Sequence, residues 1–218
     1  KMRRLKEISF SLTNRCNLSC QMCEISRNPS RREDELSTAQ VKEIILQIKD
    51  MGIRHVIFSG GEPLLREDIL EVVEFAIAQG IAMVDIITNG ALLDDSIIER
   101  LVLARLNHMT ISLDGVGQTN DLIRGKGVFE KASRNIDRVN FYKAKYNSPF
   151  PSVGINFTIM DKNIDDILPM VSFARSKGCN IVVFQPILFN NTKMYEKKTN
   201  RLWVSGQHIA KLKDIIGR

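Results

Sequence analysis

The chain has 218 residues, of which 44% are apolar and 26% charged, with a net charge of +6 and four cysteines. That length and apolar content can build one sizeable core, and they exclude collagen, coiled-coil and disordered classes. No apolar run approaches the roughly 18 residues of a membrane span, and the basic N-terminus leads into a strand pattern rather than a secretory signal, so the expected location is the cytoplasm.

Strand patterns fall at residues 5–12, 55–59, 82–88, 108–113, 152–159 and 180–185. Helical patterns lie between them at 38–51, 68–79, 96–106, 128–145 and 165–177. Ser37 with Gln40, and Ser96 with Glu99, have the spacing of capping boxes. Gly52, Gly80 and Gly178 follow helical runs where a left-handed residue is wanted. Pro169 places the start of the fifth helix near Asp165 or Asp166, with proline in its first turn. Residues 146–151, with two prolines, read as a loop. Strands alternating with helices predict a parallel α/β sheet. The basic residues form short clusters at 1–6, 27–32 and 193–201 interrupted by acids, which favours an anionic or peptide partner and makes nucleic acid unlikely.

The unusual residues all fall at strand C-termini. A loop with three cysteines follows the first strand, Gly60-Gly61-Glu62-Pro63 the second, Thr88-Asn89-Gly90 the third, Asp114-Gly115 the fourth and Gln185-Pro186 the sixth. In barrels of parallel βα units the loops on that face converge into the active site. Cys16, Cys20 and Cys23 are spaced to bring three thiolates to one soft-metal centre. Three sulfur ligands on a cubane iron–sulfur cluster leave one iron open to a small molecule, which is an arrangement for catalysis. Structural zinc wants four closed ligands, and the chain has no ready fourth. His55 and His108 start strands, His208 lies in a terminal helix, and Cys179 reads as a packed thiol.

Taken together, the cysteine spacing, Gly60-Gly61-Glu62-Pro63, Ile87-Thr88-Asn89-Gly90 and Ile111-Ser112-Leu113-Asp114-Gly115 resemble the radical S-adenosylmethionine (SAM) superfamily over about residues 5–186. Arg124-Gly125 with Gly127 and Phe129 is similar to its SPASM and twitch branch. The resemblance implies a partial (β/α)6 TIM-like barrel over residues 1–188, followed at 189–218 by a linker and helical extension toward an auxiliary domain. It implies one 4Fe–4S cluster on Cys16, Cys20 and Cys23, with SAM on its open iron. An external donor such as flavodoxin or ferredoxin would supply one electron, and the resulting 5′-deoxyadenosyl radical would take a hydrogen atom from a peptide or small-molecule substrate.

Carried over by position, Gly60 and Gly61 allow close backbone approach, Glu62 faces the SAM amino group and Pro63 stiffens the turn. Ser112 and Arg124 meet the SAM carboxylate, Asp114 points to substrate or ribose, and Asn156 meets the ribose. Arg124 could instead pair with Asp121 at the surface. Met22 stands where the family often has an aromatic residue against the adenine, and beyond Cys179 no cysteine remains for an auxiliary cluster. The implied function is peptide or cofactor-precursor maturation. The alternatives are a non-catalytic iron–sulfur electron carrier and, within the enzymes, a molybdopterin-type cyclase or a small-molecule dehydrogenase.

Overall fold

The computed structural model describes residues 5–27, 29–188, 202–204 and 206–217. Six strands, β1 (Glu7–Ser11), β2 (His55–Ser59), β3 (Met83–Thr88), β4 (His108–Ser112), β5 (Ser152–Ile159) and β6 (Ile181–Pro186), form one sheet. Every neighbouring pair is parallel and the order is sequential, so the sheet curls into a half-barrel with β1 and β6 at its two free edges. Helices α1 (Thr38–Asp50), α2 (Ile69–Ala78), α3 (Asp95–Leu103), α4 (Gln118–Arg124), α5 (Val128–Lys145), α6 (Ile167–Ser176) and α7 (Gly206–Ile216) complete the described elements.

Strand periodicity sorts the two faces. Val56, Phe58, Val84, Ile86, Met109, Ile111, Val153, Ile155 and Phe157 are buried on the helix-covered side. Alternating with them on the concave side are Ser9, His55, Asp85, His108, Thr110, Ser112 and Asn156. A sheet covered on both faces would be apolar throughout. Here the convex face makes the continuous core, and the concave face mixes these polar side chains with half-buried Ile57 and Ile87.

Ser37 caps α1 in a complete capping box with Gln40. The cap of α3 is Asp94, which accepts from the Ile97 backbone N–H at 2.8 Å, and Ser96 lies inside the helix. The Ser96 expectation fails because α3 begins earlier, at Asp95, where the Asp94 carboxylate satisfies the Ile97 N–H and leaves Ser96 inside the first turn. Gly52, Gly80 and Gly178 adopt φ of 73°, 81° and 66°. A tight turn at Ile164–Asp166 leads into α6, with Pro169 in its first turn.

The sequence reading did not anticipate α4. This short helix closes on Gly125 (φ 128°) and Gly127 (φ 76°), while the Asp121 carboxylate accepts from the Gly127 and Phe129 N–H groups at 2.6 and 2.9 Å, starting α5. Phe129 then packs on Phe173 with ring centres 5.0 Å apart. In the expected extension, the linker and the basic cluster at 193–201 lie outside the described residues. Leu202, Val204 and α7 pack back onto the barrel, with the Leu202 carbonyl accepting from Asp161 N–H at 3.2 Å. Among the described residues no helix is long and apolar enough to cross a membrane.

Candidate active site

The backbone ladder between β1 and β2 runs on past the strands. Leu12 N–H donates to Ser59 O at 2.9 Å, Gly61 N–H to Thr13 O at 2.7 Å and Glu62 N–H to Arg15 O at 2.8 Å. This contact is what requires two glycines. A Cβ at Gly60 would lie 2.4 Å from Thr13 O, and one at Gly61 would lie 2.2 Å from Arg15 O. The close backbone approach at Gly60-Gly61 is thus made to the segment that delivers Cys16.

Within that loop Cys23 N–H donates to Cys20 O at 3.0 Å. The Leu18 and Ile25 N–H groups point at the sulfurs of Cys16 and Cys23, at 3.5 and 3.4 Å. Burial pushes the Cys20 thiol up to about 11 and raises Cys16, so binding iron must displace protons from them. Asn89 Nδ2 holds Asn17 Oδ1 at 2.8 Å, which ties the loop to the end of β3. Gln21 ties it to α4, donating from its backbone to Ile123 O at 2.9 Å and from its side chain to Leu122 O at 2.5 Å.

A cavity of about 310 Å³ opens between these loops. Of the expected site residues, Cys16, Cys20, Cys23, Gly60, Gly61, Ser112 and Arg124 line it, as does Met22. Thr88, Asn89, Thr158 and Gln185 also line it without having been assigned a role. Glu62, Pro63, Asp114 and Asn156 are not part of the lining.

The buried Glu62 carboxylate accepts from Thr88 Oγ1 and Asn89 N–H, each at 2.7 Å, and from Leu64 N–H at 3.1 Å. Burial raises its pKa against the pull of those donors and of Arg124. In this arrangement the side chain fastens β2 to β3, leaving the backbone of its turn as the part that faces the cavity. Pro63 opens the tight turn Pro63–Leu65 and is buried.

Asp114, fully buried, accepts from Thr158 N–H at 2.7 Å, and its other oxygen lies 2.7 Å from Arg124 Nε. That second contact is an ion pair whose N–H is not aligned for a hydrogen bond. Arg124 therefore pairs with Asp114 and not with Asp121, whose carboxylate is occupied at the start of α5. Burial works against the guanidinium charge, but Asp114 and the nearby thiols outweigh it and raise the pKa. Asn156 stands on the concave face beside Ser112, and its carbonyl accepts from Leu113 N–H at 3.0 Å.

No trio of His, Cys, Asp or Glu side chains among the described residues converges on a point fit for a single metal ion. Three thiols spread around one cavity suit a polynuclear cluster, in which each sulfur takes a different iron. The buried Arg124 beside them suits a carboxylate ligand. The histidines serve elsewhere. His55 bridges Glu7 and Asp85 at 2.7 and 2.6 Å, His108 meets Ser152 at 2.6 Å, and His208 meets Asp161 at 3.1 Å. Cys179 precedes β6, at the end of the sheet opposite the cysteine loop.

Comparison with known proteins agrees with this geometry. Residues 10–174 match the model of the Radical SAM superfamily. Fe-coproporphyrin III synthase of Methanosarcina barkeri (strain Fusaro / DSM 804) is 36% identical over 161 residues, covering 73% of this chain and 38% of that protein. Mycofactocin maturase MftC of Mycolicibacterium smegmatis is 31% identical over 175 residues, covering 80% of this chain and 43% of that protein. Streptococcus suis SuiB, solved with S-adenosylmethionine, superposes with a TM-score of 0.80 at 17% identity, over 98% of this chain and 47% of that one. The same protein has also been solved with its precursor peptide SuiA.

The chain belongs to the radical SAM superfamily. Its cofactors are those of that family, a 4Fe–4S cluster and S-adenosylmethionine. It spans less than half the length of these relatives.

Proposed function

We propose that the chain is the catalytic core of an enzyme that reductively cleaves SAM at one 4Fe–4S cluster and removes a hydrogen atom from a peptide or cofactor precursor. When bound, the reduced cluster and SAM supply methionine and a 5′-deoxyadenosyl radical. Cys16, Cys20 and Cys23 hold three irons and leave the fourth open. The Gly60–Glu62 backbone receives the SAM amino group, with Glu62 and Pro63 holding that turn in shape. Ser112 and Arg124 receive the carboxylate, a role for which Asp114 keeps the guanidinium in place. Asn156 meets the ribose from β5, and Met22 packs against the adenine in place of an aromatic ring.

The observation that carries this reading is that three thiols, two close-packed glycines, Ser112 and a buried arginine line one cavity. A plain electron carrier would use the thiols and have no need of the rest. The reading also puts the protein in the cytoplasm with a flavodoxin or ferredoxin as donor, and takes residues 1–188 as the barrel and 189–218 as its extension in a SPASM/twitch-like enzyme.

The test is anaerobic reconstitution followed by a strong one-electron reductant and SAM. Release of 5′-deoxyadenosine is expected, to be abolished by alanine at Cys16, Cys20 or Cys23 and retained in Cys179→Ala. A bound cluster whose electron paramagnetic resonance spectrum ignores SAM would sink the enzymatic reading in favour of the electron carrier.

A further inference from the structure

Each of the two loops that face each other across the Gly60-Gly61 contact carries an arginine at its root. Arg15 immediately precedes the first cysteine, and Arg66 follows the turn that starts at Gly60. Glu35, from the segment ahead of α1, lies between them with its side chain only 7% exposed. Arg15 grips its carboxylate with two prongs, Nε to Oε1 at 2.9 Å and Nη2 to Oε2 at 3.2 Å. The Thr13 hydroxyl donates to Oε1, and Arg66 Nη1 stands 3.6 Å from Oε2.

The arginines are also wired across the gap. Arg15 Nη2 reaches over to Leu65 O in the turn at 3.3 Å, while Arg66 Nη1 reaches back to Leu12 O at the end of β1, also at 3.3 Å. Arg66, buried, grips Asp68 with two prongs at 2.9 and 2.7 Å and donates to Leu36 O at 3.1 Å. Neither Glu35 nor Arg66 lines the cavity. The network sits behind the loops, and two cations shared with two carboxylates leave it balanced in charge. Burial works to raise the Glu35 carboxyl, but hydrogen bonds from Arg15 and Thr13 and the two positive charges more than offset it, keeping it ionised below the ordinary carboxylate range.

We propose that Glu35 is a positioning residue for the cofactors: shared by Arg15 and Arg66, its carboxylate sets the register of the cysteine loop against the Gly60–Pro63 turn. The inference rests on the cofactor roles proposed above. Three backbone hydrogen bonds join the two segments, and the last of them ends at Arg15, one residue short of the first ligand. Beyond that point the separation between thiols and turn depends on side chains, and reaction rates are sensitive to shifts of about 1 Å in such geometry. Outer partners of metal-binding groups typically carry a 10- to 100-fold effect on affinity or activity.

The experiment titrates SAM into the full, anaerobically reconstituted and reduced chain, reading the electron paramagnetic resonance spectrum together with iron content and thermal melting. Glu35→Gln is expected to load about four irons and to need about 10-fold more SAM for the spectral change. Thr13→Val, which removes one bond to the same carboxylate, should shift the titration less. Glu74→Gln, in an exposed pair with Arg100, should titrate as the unaltered chain does. Unshifted titrations in both Glu35→Gln and Thr13→Val would overturn the inference, even if melting drops, because the network would then serve stability alone. If Glu35→Gln does not fold, Thr13→Val decides by the same criterion. An unaltered chain whose spectrum ignores SAM would overturn the cofactor reading itself, and the inference with it. A chain that responds while both variants match it would overturn the inference alone.

Discussion

Asp114 and Arg124 show how much a single buried pair constrains this site. Neither charge reaches water to any useful extent, and the 2.7 Å separation joins the end of β4 to the end of α4. Removing one partner of such a pair leaves the other uncompensated, at a cost of about 3–5 kcal/mol. Asp114→Ala should lower the stability of the metal-free protein by that order in chemical denaturation, and a loss below about 1 kcal/mol would mean that Arg124 finds another acceptor. Arg124→Lys keeps the charge but lacks the planar fork, so it should bind SAM more weakly while loading the same iron. Gly61→Ala acts by a different route. Its Cβ would fall 2.2 Å from Arg15 O, which is main chain and has no rotamer to yield. The two loops must part, with a stability loss of about 1–3 kcal/mol and poorer cluster retention, read as iron remaining after desalting.

Among the elements, helix starts give the sharpest test of local structure. Asp94 accepts from the Ile97 N–H ahead of α3, whereas Ser96 sits in the first turn. Asp94→Ala should cost about 1 kcal/mol, and Ser96→Ala should stay within about 0.5 kcal/mol; equal losses in thermal melts would show that the cap is shared. The α4 helix matters out of proportion to its seven residues. It carries Arg124 at its last position, receives two hydrogen bonds from Gln21 of the cysteine loop, and holds the β4 end through Asn120 Oδ1, which accepts from Asp114 N–H at 2.9 Å. The cysteine loop, Arg124 and the end of β4 are therefore tied to one another through α4.

The molecule as a whole keeps its chemistry at one end of the sheet. On the proposed ligand set three thiols hold one cluster and Cys179 lies at the opposite end, so iron should number about four per chain; an assay near eight would overturn that ligand set. Acid should attack the network behind the loops. Glu35 and Asp68 both have folded pKa values below the ordinary range, because burial, which raises them, is outweighed by hydrogen bonds from Arg15 and Thr13 and from Arg66 and Thr38. Their stabilisation is therefore complete above the unfolded carboxylate values of about 4 and is lost as pH falls through the lower folded values. Circular dichroism melts between about pH 5 and 2 should show a steep fall in the unaltered chain and a shallower one in Glu35→Gln.

What the sequence determined by itself is local in origin. Short apolar runs alternating with helical patterns placed six strands to within about two residues at each end, because each strand supplies its own share of the buried face. The three-then-two cysteine spacing and the paired glycines were equally legible as motifs, although what requires the two glycines is the tertiary approach of Thr13 and Arg15. Only the tertiary structure decided the rest. Arg124 could have paired with Asp121 until α4 carried it to Asp114. The Glu62 side chain is held by Thr88 and Asn89, 26 and 27 positions along the chain. Glu35 and Arg66 bore no motif at all. Buried polar groups must find partners, but which partner lies within 3 Å is set by how strands and loops are brought together in space, and no window of neighbouring residues contains that information.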